Sequence, residues 1–288
     1  MELTHIATRE GRLSSFLKEE MGMSTGLMNR LKWQDKLYVN GQPVRTNYPV
    51  QPGDVITVPL EEEAPQYPAE DGALTILYED EHLLAVDKPA GMLIHPSRSR
   101  NTGTLANFVL GYYQKTGQNC VFHPITRLDR DTFGIVLLAK NSHAHGRLTA
   151  LQGEGRLQKT YHALTFGGPE AGEGLIDAPI ARRELPSLLR YVSPEGKPSL
   201  TRFRVLERGE RLCKLALQPV TGRTHQLRVH CAHMGWPILG DPQYGSKASQ
   251  AHSQKLGISH QMLLAYSIQF PHPVTGEEMT LTTQMELK

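Results

Sequence analysis

"HPITRLDRDTFGIVLLAKN", residues 123–141, sets two arginines and two aspartates directly against an unbroken apolar run. Gly134 to Ala139 has the length and β-branched content of a strand covered on both faces. The charged half is therefore its approach loop. A buried carboxylate without a partner costs several kcal/mol or gives up its charge. At least one of Asp129 and Asp131 must then have a fixed cation or face water.

Outward from this strand, the sequence divides into three unequal parts. Residues 1–58 carry seven Lys and Arg against six acids, 59–73 none against five, and 74–288 twenty-four against eighteen. The acid is concentrated in "EEEAPQYPAEDG", whose prolines and lack of periodicity mark a solvated linker over 61–73. Its removal leaves a moderately basic body, compatible with a polyanionic partner. No stretch reaches the roughly 18 uncharged apolar residues of a membrane span, and the first thirteen residues lack a signal-peptide core. A cytoplasmic protein with no membrane association is expected. Three cysteines, Cys120, Cys213 and Cys231, with no CxxC, encode neither a disulfide framework nor a zinc knuckle.

In residues 1–60, "GRLSSFLKEEMG" places Leu13, Phe16, Leu17 and Met21 on one helical face that Gly22 ends. Ser24 can cap a second helix carrying Leu27 and Leu31, Asn40-Gly41 signals a hairpin, and "QPGDVITVPL" supplies a further strand. The body, 74–288, offers strands at "LTILYED" and "LLAVDKP", then a helix with Leu105, Phe108, Val109 and Tyr112 inward, and a second with Leu148 and Leu151 inward. Strands follow at "KTYHALTFG", "TRFRVLE" and "RLCKLALQP", the last two with the alternation of antiparallel neighbours. The order is neither a βαβ repeat nor all-β, so the body is α/β or α+β around a mixed or largely antiparallel sheet.

Walker, GxGxxG, GxSxG and HExxH signatures are all missing, so no nucleotide cofactor is indicated. His225, His230 and His233 crowd one segment. On a helix at ~100° per residue, His225 falls well away from His230, and no third ligand lies near. No metal is expected. "QPVTGRTHQLRVH" runs from a strand through a turn into a helix whose first turn is expected to carry Arg223 and Arg228, an anion site for phosphate or for a carboxylate of the protein itself. Tyr161 stands between Lys159 and His162 in "QKTYHAL".

"TRLDRDTFG", "KTYHAL", "TGRTHQLRVH" and "PILGDPQYG" occur in the order and approximate spacing of the RNA pseudouridine synthases of the ribosomal large-subunit (RluA) class, which residues 74–280 resemble. Residues 12–58 resemble the small S-four-like RNA-binding domain often added to that class. The resemblance implies an α+β pseudouridine synthase fold with a small N-terminal α/β RNA-binding domain. It also implies a cofactor-free isomerase that breaks the bond between the anomeric carbon and uracil N1, turns the base, and rejoins it through carbon-5. By that analogy Asp129 is the essential carboxylate, attacking the anomeric carbon or removing the neighbouring 2′ proton, and the two routes stay open. Arg228 is its fixed cation, and Tyr161 stacks on the flipped base and assists proton removal at carbon-5. Arg127 helps fill the space that the flipped nucleotide vacates. Arg130, Arg223, Arg12, Arg30, Lys32 and Lys36 are further RNA contacts, Asp131 is a structural partner, and Leu227 and Ile238 pack the pocket.

Two positions depart from the family's usual residues: Thr126 stands where His is common, and Phe133 where Ser is common. They bear on the RNA accepted more than on the reaction. The expected substrate is large-subunit ribosomal RNA and the expected state a monomer. The competing readings are the same reaction on transfer RNA and a non-catalytic RNA-binding or ribosome-assembly factor.

Overall fold

The computed structural model describes residues 2–60, 67–97, 100–184, 187 and 189–287. Apolar alternation in the N-terminal segment builds a four-stranded sheet in the order Glu2–Ile6, Val55–Pro59, Tyr38–Val39, Gln42–Pro43. The hairpin at Asn40-Gly41 forms as its residues require, with φ of 50° and 76°. Ser24 caps the helix Thr25–Trp33 by accepting from the Leu27 amide at 3.2 Å. The preceding helix starts as α over Leu13–Ser15 and widens to π geometry over Phe16–Glu20. Leu13, Phe16 and Leu17 are fully buried in a core shared with Leu27, Leu31, Ile56 and Val58, and Met21 lies at its margin.

Beside a separate two-stranded sheet of Ile180–Arg182 and Arg190–Val192, the body is built on a ten-stranded one. Along its main path run Glu173–Asp177, Leu200–Arg208, Leu212–Pro219, Gln158–Phe166, Leu263–Pro271, Phe133–Ala139, Leu83–Lys88 and Thr75–Glu79. Every pairing is antiparallel except that of Phe133–Ala139 with Leu263–Pro271. That parallel seam joins only Phe133 to Leu264 and Gly134 to Ala265, yet it brings the charged loop beside the tyrosine strand. Gly134 permits it. Its φ is +104°, and a Cβ there would sit 2.3 Å from the Ala265 carbonyl oxygen.

All seven residues of Phe133–Ala139 are buried, as the apolar run predicted. Leu84, Val86, Val136 and Leu138 join one core, and Ile135 and Leu137 a second with Leu148 and Leu151 of the helix Ser142–Gly153. The strand is thus clamped from both faces.

Three local expectations need correction. On the helix Leu105–Lys115 the fully buried tyrosine is Tyr113, at 1% exposure, whereas Tyr112 stays half-buried to hydrogen-bond Glu79. The hydroxyl explains the shift: Tyr112 can reach a carboxylate from the rim. The acidic linker does not run free over its second half. Glu70 NH donates to the Asn107 carbonyl at 3.0 Å, Asn107 Nδ2 donates to the Pro68 carbonyl at 2.8 Å, and a Cβ on Gly111 would lie 1.9 Å from Glu70 O. Residues 61–66 of that linker fall outside the described residues. The helix expected to carry Arg223 in its first turn begins only at Gln226, after His225 in the left-handed region at φ 59°. Arg223 therefore precedes it, and Met234 beyond its end is 44% exposed.

Among the described residues, no helix is long and apolar enough to cross a membrane. All three cysteines are buried, and none is joined in a disulfide among the described residues.

Candidate active site

Asp129 lies in the approach loop, in a turn where the Thr132 amide donates to its backbone carbonyl at 3.2 Å. Its carboxylate Oδ2 accepts from Arg228 Nη1 at 2.9 Å. Arg228 is buried and saturated: Nε and Nη2 grip Asp241 at 2.7 and 2.8 Å, and Nη2 also reaches Gln243 Oε1 at 2.8 Å. Asp241 in turn accepts from the backbone amides of Gln243 and Tyr244 at 2.9 and 3.1 Å. A bidentate guanidinium locked by a second carboxylate cannot follow a moving partner. Asp129 is consequently offered to the cleft in one orientation.

The adjoining charges are accounted for separately. Arg130 pairs with Asp131 at 2.9 Å, and that hydrogen bond, ahead of opposing burial, holds Asp131 below the usual carboxylate range. The loop itself is anchored by Lys88, which is fully buried and donates to the carbonyls of Pro89, Met92 and Arg130 at 2.8, 2.9 and 2.8 Å. Burial pulls Lys88 down to about 8, against the opposing pull of Asp131 and Asp129. Replacing Lys88 with Met strands three carbonyls. The expected loss is about 2–4 kcal/mol in urea unfolding, with Asp129 displaced and activity reduced with it.

Tyr161 comes from the strand Gln158–Phe166, paired to Leu217 on one side and Ala265 on the other. It is 9% exposed, and burial, reinforced by Asp129, raises its phenol well above the ordinary range. It is therefore a neutral phenol with its ring at the cleft wall. A register shift between Thr160 and Tyr161 locally breaks the ladder to Leu263–Pro271.

These groups meet in an open cleft of about 400 Å³ lined by Arg127, Asp129, Tyr161, Arg223, His225, Leu227 and Arg228 among others. Arg127 and Arg223 are exposed at its rim, Arg223 Nε donating to the Pro198 carbonyl at 3.2 Å. Leu227 lines the cleft. Ile238 is 1% exposed and bridges to Thr165 on the tyrosine strand, packing in the same core as Tyr161 and Leu227 behind the cleft lining. Arg130 is exposed beside the cleft.

In the N-terminal unit Arg12 and Lys32 are exposed and Lys36 is half-buried. Arg30 Nη2 instead donates to Ser142 Oγ of the body at 2.9 Å. Of the two departures, Thr126 is buried and accepts from the Leu137 amide at 2.9 Å, fastening the loop to the strand. Phe133 is buried with its ring set against His260, centroids 5.5 Å apart. Each is buried in a packing position, Thr126 beside a small void that Tyr161 also lines.

Sequence reasoning missed several members of the site. His225 Nε2 lies 3.8 Å from Asp129 Oδ2, and Nδ1 is 2.8 Å from the Tyr244 hydroxyl. The same hydroxyl accepts from the Arg190 amide at 2.9 Å. Burial lowers the His225 pKa, which favours the neutral ring. Gln226 Oε1 accepts from the Thr221 hydroxyl and the Arg223 amide at 2.9 and 3.0 Å, fixing the TGRT turn. His230, weighed earlier as a ligand, has both ring nitrogens engaged: Nε2 donates to the Ala178 carbonyl and Nδ1 meets Thr201 Oγ1, each at 2.9 Å.

A half-buried, cation-fixed carboxylate shares a cleft with a neutral tyrosine and exposed arginines, the residue types that the four motifs implied. The family model described as RNA pseudouridylate synthase matches residues 82–233, a span that includes Asp129, Tyr161 and Arg228. The chain belongs to that family. It is accordingly an isomerase that makes pseudouridine in RNA. An uncharacterized RNA pseudouridine synthase of Bacillus subtilis, YjbO, is 38% identical over 263 residues, covering 90% of this chain and 90% of that protein. The ribosomal large subunit pseudouridine synthase C of Vibrio cholerae is 33% identical over 287 residues, covering 96% of this chain and 90% of that protein. Among solved structures, human RNA pseudouridylate synthase domain containing 1 superposes with a TM-score of 0.62 at 28% identity, covering 75% of this chain and 86% of that one. The matched span begins at residue 82 and so leaves the N-terminal unit outside it, and it ends before Asp241, the residue that locks Arg228.

Proposed function

We propose that this synthase modifies uridines of large-subunit ribosomal RNA, with Asp129 as the reacting carboxylate, Arg228 as its fixed cation and Tyr161 as the base-contacting residue. One observation carries the reading: the Asp129 carboxylate is held at 2.9 Å by a buried arginine, inside a cleft that it shares with Tyr161. A pure binding surface gains nothing from burying such a pair, because desolvating two charges opposes stability unless geometry and further hydrogen bonds offset it. The relatives named ribosomal large subunit pseudouridine synthase C and D support the choice of RNA.

The target base must leave its stack at a cost of a few kcal/mol. Arg127, at the rim, is placed to fill the vacated space, while Arg130 and Arg223 meet phosphates. Arg12, Lys32 and Lys36 of the N-terminal unit extend the phosphate contacts, and that unit acts as the S-four-like RNA-binding domain. Arg30 ties the unit to the body through Ser142 as well as serving RNA. Asp129 bonds to the anomeric carbon or takes the 2′ proton. Either route releases uracil with the bonding electron pair. The reading places the protein in the cytoplasm as a monomer, consistent with an exposed basic body that RNA covers.

Pseudouridine mapping of ribosomal and transfer RNA, in cells with the gene deleted, restored, or restored as Asp129→Asn, tests it. Sites in large-subunit RNA should vanish on deletion and return only with the wild-type gene. Loss confined to transfer RNA would overturn the substrate, and return of the sites with Asp129→Asn would overturn the active-site assignment.

A further inference from the structure

We propose that Lys159 is a further catalytic residue, whose ammonium hydrogen-bonds a uracil oxygen and stabilises the negative charge that the base carries once its bond to the sugar breaks. This deepens the synthase reading and rests on it.

Lys159 stands two residues before Tyr161 on the strand Gln158–Phe166 and lines the same cleft. It also lines a small neighbouring void of about 10 Å³, shared with Tyr161, Thr126 and Ser267. Lys159 is half-buried, unlike the exposed Arg127 and Arg223. Every other cation of the cleft has a different assignment. Arg228 is saturated by carboxylates, and Arg127 and Arg223 are exposed at the mouth, where phosphates pass.

Lys159 has no such partner. Among the described residues its ammonium makes no hydrogen bond or ion pair, and burial alone, with no charged neighbour contributing, lowers its pKa. Asp129 is the one acid lining the described cleft, and Arg228 already holds it. A lysine desolvated without compensation costs the fold stability, and such groups cluster where a ligand supplies the missing charge.

The chemistry supplies that charge at the right place. When the bond between the anomeric carbon and N1 breaks, its electron pair goes to the ring and spreads over N1 and the two carbonyl oxygens. Attack by Asp129 forms a carboxylate–carbon bond as this bond breaks. Removal of the 2′ proton forms a carbon–carbon double bond in the sugar and expels the base likewise. Both routes leave a uracil anion that must stay in the cleft while it turns. A donor aimed at developing negative charge in a water-poor site acts mainly on the transition state. A lysine stem is long enough to keep contact with either oxygen during rotation. Carbon-5 then bonds to the anomeric carbon as the Asp129 carboxylate leaves it, or as the 2′ proton returns to the sugar. Loss of the carbon-5 proton and uptake of one at N1 leave a neutral ring, and the interaction weakens before product release.

The test compares wild type, Lys159→Met, Lys159→Gln and Lys159→Arg on RNA labelled with tritium at uridine carbon-5. It measures single-turnover tritium release at saturating enzyme, and RNA affinity by filter binding across salt. Met and Gln should each slow release by about 10²-fold, with affinity within about threefold of wild type, and Arg should recover most of the rate. Gln keeps the site polar and decides the matter if Met does not fold. An unchanged saturating rate with weaker binding and a salt slope smaller by about one would make Lys159 a phosphate contact and overturn the proposal. So would no change in either quantity. Wild-type inactivity on ribosomal RNA would instead sink the substrate reading above, with the comparison then made on whichever RNA the deletion mapping identifies.

Discussion

Asp129→Asn should stop pseudouridine formation while leaving a folded protein that binds RNA within a few-fold of wild type. The structural half of this expectation follows from how Arg228 is held. Its guanidinium keeps two contacts to Asp241, at 2.7 and 2.8 Å, and one to Gln243 at 2.8 Å after the charge on Asp129 is gone. No buried cation is stranded, and an amide oxygen can still accept from Nη1. Asp129 is itself 29% exposed at the side chain, so stability should change by no more than about 1–2 kcal/mol. The chemical half follows from what an amide lacks: it is neither a useful nucleophile toward the anomeric carbon nor a base for the 2′ proton. Single-turnover rates should fall by roughly 10⁴-fold or more, as when an essential group is removed from other enzymes. A residual rate within tenfold of wild type would remove Asp129 from the reaction, whichever route operates.

The reasons that Asp129, Tyr161 and Arg228 were legible in the sequence are local. Two alternating charge pairs ahead of an all-apolar strand announce a loop that must solve a burial problem, and the four ordered motifs supplied the rest. The strand Phe133–Ala139 and the helices on either side of it were readable for the same reason, since periodicity encodes which face is buried. What stayed hidden was the partner network. Asp241 lies thirteen residues beyond Arg228, after a turn, and nothing in "PILGDPQYG" says that its carboxylate points back to a helix. Lys88 read as the end of a strand before proline. Its three carbonyl partners are assembled from two separate loops, so only the tertiary structure reveals an anchor. His225 was weighed as a helical residue, but it adopts a left-handed conformation that propensity alone does not foretell. Phe133, whose usual counterpart implies a polar neighbour for Asp129, turned into the core because the parallel seam at Leu264 orients that end of the strand.

The largest effect on the fold should come from Arg228→Leu. Its side chain is 5% exposed and that of Asp241 1% exposed, so the substitution leaves a buried carboxylate with backbone donors but no cation. Breaking a buried pair from one side costs about 3–5 kcal/mol, more than the loss of any surface contact in the protein. Urea unfolding of wild type and Arg228→Leu measures the loss. The double variant Arg228→Leu, Asp241→Asn removes the uncompensated charge and should recover part of the stability. It should not recover activity, because Asp129 still lacks the guanidinium that orients its carboxylate during base release. Arg228 thus acts on two carboxylates at once, one for the fold and one for the reaction, and the cycle separates the two. Full stability in the single variant would sink the first role, and restored turnover in the double would sink the second.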